Sequence, residues 1–488
     1  MNGNRGPVFH FLTGSQHLYG EEALRQVETH SREIANYLSA RLPFKLLFVP
    51  VVKTHGEILD ACRRAQADSC CAGVITWMHT FSPSKMWIGG LKALSLPVLH
   101  LHTQYNAEIP FDGIDMDFMN INQSAHGDRE HGYIFARMGK ARKIAVGHYK
   151  DDALAAKIAS WMRVAAAALF AKELKVMRLG DNMRDVAVTE GDKVEAQIRF
   201  GWQVNYRAVG ELAEHVSAVG EAEVAGLMGE YADKYIMNTQ DTAAVRYQAK
   251  LELGLKTLLD AHGCGAFTNT FEDLHGLEQL PGLASQRLME QGYGFGPEGD
   301  WKVSALLATI KHLTANKGTT LMEDYTYHLS PGHEAILGAH MLEVCPTIAE
   351  HKPKIEVHPL GIGGKNPPAR LVFNGKPGKA VCVSLVDMGG RLRLIVLDVQ
   401  AIEIPFAMPR LPVARVMWKP EPDFFIGCEA WLLAGGAHHT VLSYDTNAEE
   451  MADLAEIIGI ECVHIGKGTD IAALGRELRM GNLLWAGR

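Results

Sequence analysis

Residues 8–52 read VFHFLTGSQHLYGEEALRQVETHSREIANYLSARLPFKLLFVPVV, and the order of apolar stretches within them decides the fold. Residues 8–12 are a short apolar run that ends in Thr13-Gly14-Ser15. Across residues 20–42 the apolar side chains Leu24, Val27, Ile34, Tyr37 and Leu38 recur at helical spacing. Residues 45–52 return to an extended pattern. Working outward, the unit repeats as a helix over 56–64, a strand over 72–77, a helix over 83–94 and a strand over 97–102. Strands that alternate with helices predict a doubly wound parallel sheet. In such sheets ligands sit outside the carboxyl ends of the strands. Here those ends are Gly14-Ser15-Gln16-His17, Met78-His79-Thr80-Phe81-Ser82-Pro83 and His102-Thr103-Gln104-Tyr105, whose amides, imidazoles and hydroxyls suit a neutral polyol. The glycines of this N-terminal third form no GxGxxG turn, so no nucleotide cofactor is expected. NINQSAHGDRE, residues 120–130, reads as a polar surface connection ahead of Tyr133 and Phe135.

An Ala-rich helix end near residue 171 marks a domain boundary, and a second α/β unit follows. Strands are expected over 174–179, 193–200, 204–209 and 264–270, with helices over 210–232 and 243–261. Glu272, Asp273 and His275 offer ligand atoms, although a helix cap is the cheaper reading of the two acids. From residue 319 short β-rich segments at 321–329, 369–373, 380–386 and 392–399, separated by turns such as Asp387-Met388-Gly389-Gly390, predict an antiparallel barrel or sandwich. A helix over 447–458, a strand over 461–465 and a last helix close the chain. Three domains result: 1–170 and 171–318, both α/β, and 319–488, a β-barrel with terminal helices.

The length of 488 residues exceeds what one core supports, and 47% hydrophobic with 21% charged residues is ordinary globular composition. No apolar run approaching 18 to 20 residues stands out, and MNGNRGPVFHF lacks the pattern of a signal peptide, so a cytoplasmic protein without a membrane partner is expected. A net charge of -8 without basic clusters argues against a nucleic-acid partner. The eight cysteines show no CxxC spacing and read as reduced thiols.

The chemistry concentrates in residues 293–346. Glu298, Glu323 and His340 fall in or beside three short elements there, and two carboxylates with an imidazole can hold one cation. Glu323 lies among Leu321, Met322, Tyr325 and Tyr327, where an unpaired carboxylate would be costly or protonated. Period two places Glu323, Tyr325 and Tyr327 on one face, with His340, Leu342 and Val344 aligned likewise if that segment is extended. For Glu298 the alternative stays open that an acid at the entrance of a helix, beside the capping Asp300, gains from the helix dipole without any metal. Ala434-Gly435-Gly436-Ala437-His438-His439-Thr440 adds two adjacent imidazoles, and on an extended segment only one of them would point to a common site.

Ten segments, GSQHLYG, WMHTFSPSKMW, DMDFMNINQSAHG, GDNMRDVAVTEGDK, TFEDLHGLEQLPG, PEGDWK, MEDYTYH, HMLEVCP, LGIGGK and LAGGAHHT, together resemble the L-arabinose isomerase family from Gly14 to about Tyr444. The resemblance implies two Rossmann-like α/β domains followed by an antiparallel β-barrel, an arrangement shared with fucose isomerase. It implies that Glu298 and Glu323 are the catalytic acid and base, that they bind a metal with His340 and His439, and that the metal is Mn²⁺, with Co²⁺ or Mg²⁺ as substitutes. It further implies a sugar pocket of Gln16, Phe81, Gln123, His126, Met183, Tyr325 and Ile362. The expected assembly is a homotrimer or homohexamer in which the Gln123 and His126 region reaches a neighbour's barrel. Pro297 and a short loop at 316–318 depart from the family pattern without touching a ligand, so activity should survive.

The expected reaction converts L-arabinose to L-ribulose, and D-galactose to D-tagatose, through a cis-enediolate. A divalent ion at O1 and O2 stabilises that species, and a mixed oxygen and nitrogen sphere without thiolates favours Mn²⁺ or Co²⁺ over structural zinc. Three alternatives remain: a hydride shift on the same ligands, an isomerase of another aldose such as L-fucose, and a non-catalytic sugar binder. Solvent isotope incorporation at product C1 separates the first and product identification the second. The acid/base pair argues against the third.

Overall fold

The computed structural model of the chain describes residues 6–485. The expectation that no signal segment is present falls partly on residues 1–5, outside the described part. Two compact units divide the chain, residues 1–169 and 170–488.

The first unit carries five parallel strands, β1 (Val8–Gly14), β2 (Lys45–Phe48), β3 (Cys71–Met78), β4 (Val98–His102) and β5 (Lys143–Val146). Their order, β2-β1-β3-β4-β5, reverses between β1 and β3, where the carboxyl ends leave a crevice. All eight residues of β3 are buried, as expected of a central strand covered on both faces. Helix Asp152–Ala171 is long and apolar enough, with a mean hydropathy of 1.4, to cross a membrane by length and composition alone. Half of that stretch is buried inside the fold, where Trp161 packs on Phe9 with ring centroids 5.6 Å apart. Packing against the sheet accounts for a run that the sequence reading passed over.

Residues 120–130 are not a surface connection. Helix Ser124–Met138 starts there, and its Ser124, Asp128 and His131 are buried. Asp128, 3% exposed, accepts from the Met78 backbone N–H (3.1 Å) and lies 2.9 Å from His100 Nε2 and 2.7 Å from His102 Nδ1. A polar string can be a buried helix when its partners come from distant strands, which no local pattern reveals.

The second unit opens with β6 (Lys175–Leu179), β7 (Gln203–Arg207), β8 (Ile236–Met237), β9 (Ala266–Asn269) and β10 (Gly294–Gly296). β10-β9-β6-β7 form a parallel sheet, while β8 leaves it to join a separate three-stranded sheet. Residues 193–200, expected as a strand, form helix Lys193–Phe200, because Asp192 caps the backbone N–H groups of Val194 and Glu195. The helix expected over 210–232 is two, Val209–Ala218 and Glu221–Lys234, separated at Val219-Gly220. Glu272 and Asp273 cap no helix; they clamp Arg184, each at 2.8 Å. Residues 292–297, read as irregular, contain β10. Gly294 permits this: a Cβ there would lie 2.1 Å from the Ser304 carbonyl oxygen, so only glycine lets the strand pack on helix Trp301–Leu313.

Nine further strands follow: β11 (Thr319–His328), β12 (Ala335–Ala339), β13 (Lys354–Val357), β14 (Ala369–Val372), β15 (Gly378–Asp387), β16 (Leu392–Ile402), β17 (Arg415–Pro420), β18 (His439–Ser443) and β19 (Glu461–Ile465). β15-β18-β11-β12-β17-β16 pair antiparallel, and β16 pairs back to β15, which closes a six-stranded barrel. β19 adds parallel to the outside of β16.

The strict alternation expected along β11 fails at one point. Asp324 opposes Gly338 and Thr326 opposes Leu337, so Tyr325 is an extra, bulged residue. Beyond the bulge the faces exchange. Tyr327 lines a small cavity with Asp324, Trp418 and Cys382, whereas Glu323 and Tyr325 line a different cleft. The segment from His340 to Val344 is not extended either; β12 ends at Ala339.

Candidate active site and metal centre

The barrel ladder gathers the second unit's polar cluster. Glu323 on β11 pairs on one side with His439, the first residue of β18, and on the other with Ala339, the residue before His340. Three of the four sequence-expected ligands therefore meet through backbone register alone. Glu298 comes from the loop after β10. Its φ of +58° lies in the left-handed region, uncommon for a side-chain-bearing residue and frequent at functional sites. Two backbone bonds hold this turn: the Met183 N–H donates to the Glu298 carbonyl (2.9 Å) and the Gly299 N–H to the Asn269 carbonyl (3.1 Å). Gly299, at φ +76°, is required as glycine, since a Cβ would fall 2.4 Å from Asn182 Cα.

Each buried imidazole is aimed by a second carboxylate. Asp300 Oδ2 lies 3.2 Å from His439 Nδ1, and Glu343 Oε2 lies 2.6 Å from His340 Nδ1. A carboxylate on Nδ1 holds the proton there and leaves Nε2 bare, the usual way in which ligand histidines are oriented. Those bare nitrogens face the two glutamates: His439 Nε2 is 3.9 Å from Glu298 Oε2, and His340 Nε2 is 4.0 Å from Glu323 Oε2. His439 Nε2 is buried and has no hydrogen-bond partner.

His438 joins the cluster, its Nε2 3.6 Å from Glu298 Oε2. Adjacent histidines were expected to diverge, but His438 sits in the bend before β18, so strand alternation does not apply to it. Glu298, His438 and His439 each offer an atom within 4.8 Å of the others. Ligand atoms about 2.1 Å from one cation lie about 3 to 4 Å from their neighbours, so these spacings fit a divalent ion after slight contraction. The donor set of carboxylate oxygen and imidazole nitrogen matches the same class.

The charges are mutually consistent. The hydrogen bond from His438 holds the Glu298 carboxyl below its ordinary range, and the same contact raises His438. Burial pushes His340 down, but Glu343, Glu323 and Glu298 outweigh it and the net shift is upward. For Asp300, burial raises and Lys302 with His439 lowers, and the lowering wins.

A cleft opens on this cluster, lined by Glu298, Glu323, His340, Tyr325 and Ile362 together with the apolar Phe271 and Leu360. Met183 reaches the site through its backbone bond to Glu298. The remaining sugar-pocket candidates belong to the first unit. Phe81 and His126, ring centroids 4.8 Å apart, line an open hollow, Gln123 precedes helix Ser124–Met138 and Gln16 follows β1. Asp300 was read only as a cap, and Glu343 was not singled out. Their signal was present: an acid two residues after Glu298, and an acid three residues after His340 inside the apolar Met341-Leu342-Glu343-Val344.

The first unit also carries a testable charge pair. Asp128 beside it raises His102 above the ordinary imidazole range. A raised folded value means that the contribution is complete below the unfolded pKa and fades as pH rises through the folded one. Wild-type stability should therefore fall more steeply than that of His102→Gln between about pH 6 and 8, read from denaturant midpoints.

The family model described as the L-arabinose isomerase N-terminal domain matches residues 4–173, the central domain residues 175–316 and the C-terminal domain residues 318–461. Similar proteins include the L-arabinose isomerase of Geobacillus thermodenitrificans, 57% identical over 98% of this chain and 98% of that one. That of Anoxybacillus flavithermus is 58% identical, covering 98% and 97%. That of Thermotoga maritima is 56% identical, again covering 98% and 97%.

Proposed function

The chain belongs to the L-arabinose isomerase family, an aldose-ketose isomerase family, and from that premise we propose that Glu298 and Glu323 move the proton between C2 and C1 of the sugar. The observation that carries this reading is the bare, buried Nε2 of His439 facing Glu298. A buried nitrogen without a partner is costly unless something binds it.

Glu298, Glu323, His340 and His439 would hold the divalent ion, Mn²⁺ by family resemblance, with His438 as a further donor. Bound there, such an ion supplies Lewis acidity at the sugar's carbonyl oxygen. The protein's own groups do the rest. One glutamate, ionised, takes the C2 hydrogen as a proton while the C2–H pair becomes the C1–C2 double bond and the other glutamate, protonated, gives its proton to O1. That glutamate exchanges its proton with solvent and delivers one to C1, and the other, by then ionised, takes the O2 proton as the ketone forms. Positioned acid and base groups contribute about 10²- to 10⁴-fold each. Apolar Phe271 and Leu360 line the cleft and reduce water at the reacting carbons.

The reading extends to D-galactose, which shares the stereochemistry of L-arabinose at C2 to C4 and differs by a substituent at C5. It also includes Rossmann-like α/β domains over 1–170 and 171–318, a barrel domain over 319–488, a cytoplasmic location, and an assembly of three or six copies with shared active sites. The last is supported by Phe111, 83% exposed, with Met116 and Met119, apolar side chains left in water by the first unit.

Turnover of L-arabinose in D₂O with added Mn²⁺ tests the chemistry. L-ribulose should carry solvent deuterium at C1; label-free product formed at full rate would replace proton transfer with a hydride shift.

A further inference from the structure

Lys302 is out of place by every local rule. It stands in the first turn of helix Trp301–Leu313, the positive end of the helix dipole, where a cation is disfavoured. Its side chain is 1% exposed, and a buried ammonium is costly unless paired. What it touches explains its presence. Nζ donates to the carbonyls of Thr189 and Glu190, each at 2.7 Å, and lies 3.3 Å from Asp300 Oδ1.

Those contacts lead to the site by two routes. Asp300 turns its other oxygen to His439 Nδ1, so the charge that fixes one carboxylate oxygen also fixes the carboxylate that aims the imidazole. The Thr189 carbonyl accepts a second bond from Asn182 Nδ2 (2.7 Å), and that amide also reaches the Gly299 carbonyl (3.3 Å). The neighbouring Met183 N–H holds the left-handed Glu298 from its carbonyl side. One ammonium thus ties the orientation of His439 to the backbone of Glu298, two groups whose polar atoms stand 3.9 Å apart.

We propose that Lys302 is a positioning residue that preorganises Glu298 and His439 as a pair for a divalent cation. This rests on the metal reading above. Its two carbonyl bonds pin residues 189–190 and its charge faces Asp300, so a neutral donor in its place would keep the first and lose the second.

The test uses full-length, metal-stripped protein titrated with Mn²⁺ by calorimetry, with thermal unfolding of the metal-free protein followed in parallel. Lys302→Gln, which keeps a donor for the two carbonyls but not the charge, and Lys302→Met should each bind Mn²⁺ about tenfold or more weakly than wild type. In the Asp300→Asn background Lys302→Gln, which leaves the carbonyl route in place, should cost less than about twofold further, because the carboxylate on which the lost charge acts is already neutral. If Lys302→Gln binds as wild type does, or if the loss is the same in both backgrounds, Lys302 serves only the fold and the proposal is overturned. If Lys302→Met does not fold, Lys302→Gln alone decides. Failure of wild type to bind Mn²⁺ at all would instead remove the metal reading on which the proposal stands.

Discussion

Glu323→Gln and Glu298→Gln should each lower kcat for L-arabinose by about 10²- to 10⁴-fold while the protein stays folded. Glutamine keeps the shape of both side chains. Glu323 keeps its backbone pairing to Ala339 and His439, and Glu298 keeps the bonds through which Met183 and Asn269 hold its turn. What is lost is an ionisable oxygen at the point where charge must move. Neither side chain bears the fold, since both stand at the cleft with about a fifth of their surface exposed. Circular dichroism and thermal unfolding of both variants should match wild type within a few degrees, so the change in rate cannot be attributed to misfolding. A variant that keeps wild-type kcat would remove its glutamate from the proton path.

Removal of divalent ions with a chelator should abolish turnover, and Mn²⁺ should restore it. The metal-free protein should remain folded, because the cluster compensates its own charges: His438 stands against Glu298, Glu343 against His340 and Asp300 against His439. Its unfolding transition should nonetheless rise on addition of Mn²⁺. An ion that binds only the folded state stabilises it by about 2.7 kcal/mol at a hundred times its Kd. Scanning calorimetry across a Mn²⁺ series reads that shift directly. Undiminished turnover after exhaustive chelation would leave the bare Nε2 of His439 without the partner assigned to it.

Much of this was legible before any coordinates. The strand and helix alternation of residues 8–102 appears as the four parallel strands β1 to β4, and the change of texture at residue 319 as a closed barrel, because both patterns are set by which faces must be buried. The errors have separate physical causes. Lys193–Phe200 alternates in its apolar residues but follows a capping Asp192, and the cap prevailed. Ser124–Met138 looked solvent-borne because its partners, His100, His102 and the Met78 backbone, are supplied by strands far away in the chain. Tyr327 left the face of Glu323 because of one bulged residue, which a count of two cannot anticipate.

By itself the sequence determined the alternation of elements and the family, and it offered Glu298, Glu323, His340 and His439 as candidates, since burial periodicity and residue chemistry are local properties. Only the tertiary structure decided that His438 turns toward Glu298, that Asp300 and Glu343 each aim a histidine, and that Lys302 links them to the loop behind the site. Those facts depend on side-chain direction, from a pair 3 residues apart (His340 and Glu343) to one 139 apart (Asp300 and His439) and beyond, and direction is fixed by packing and register rather than by composition.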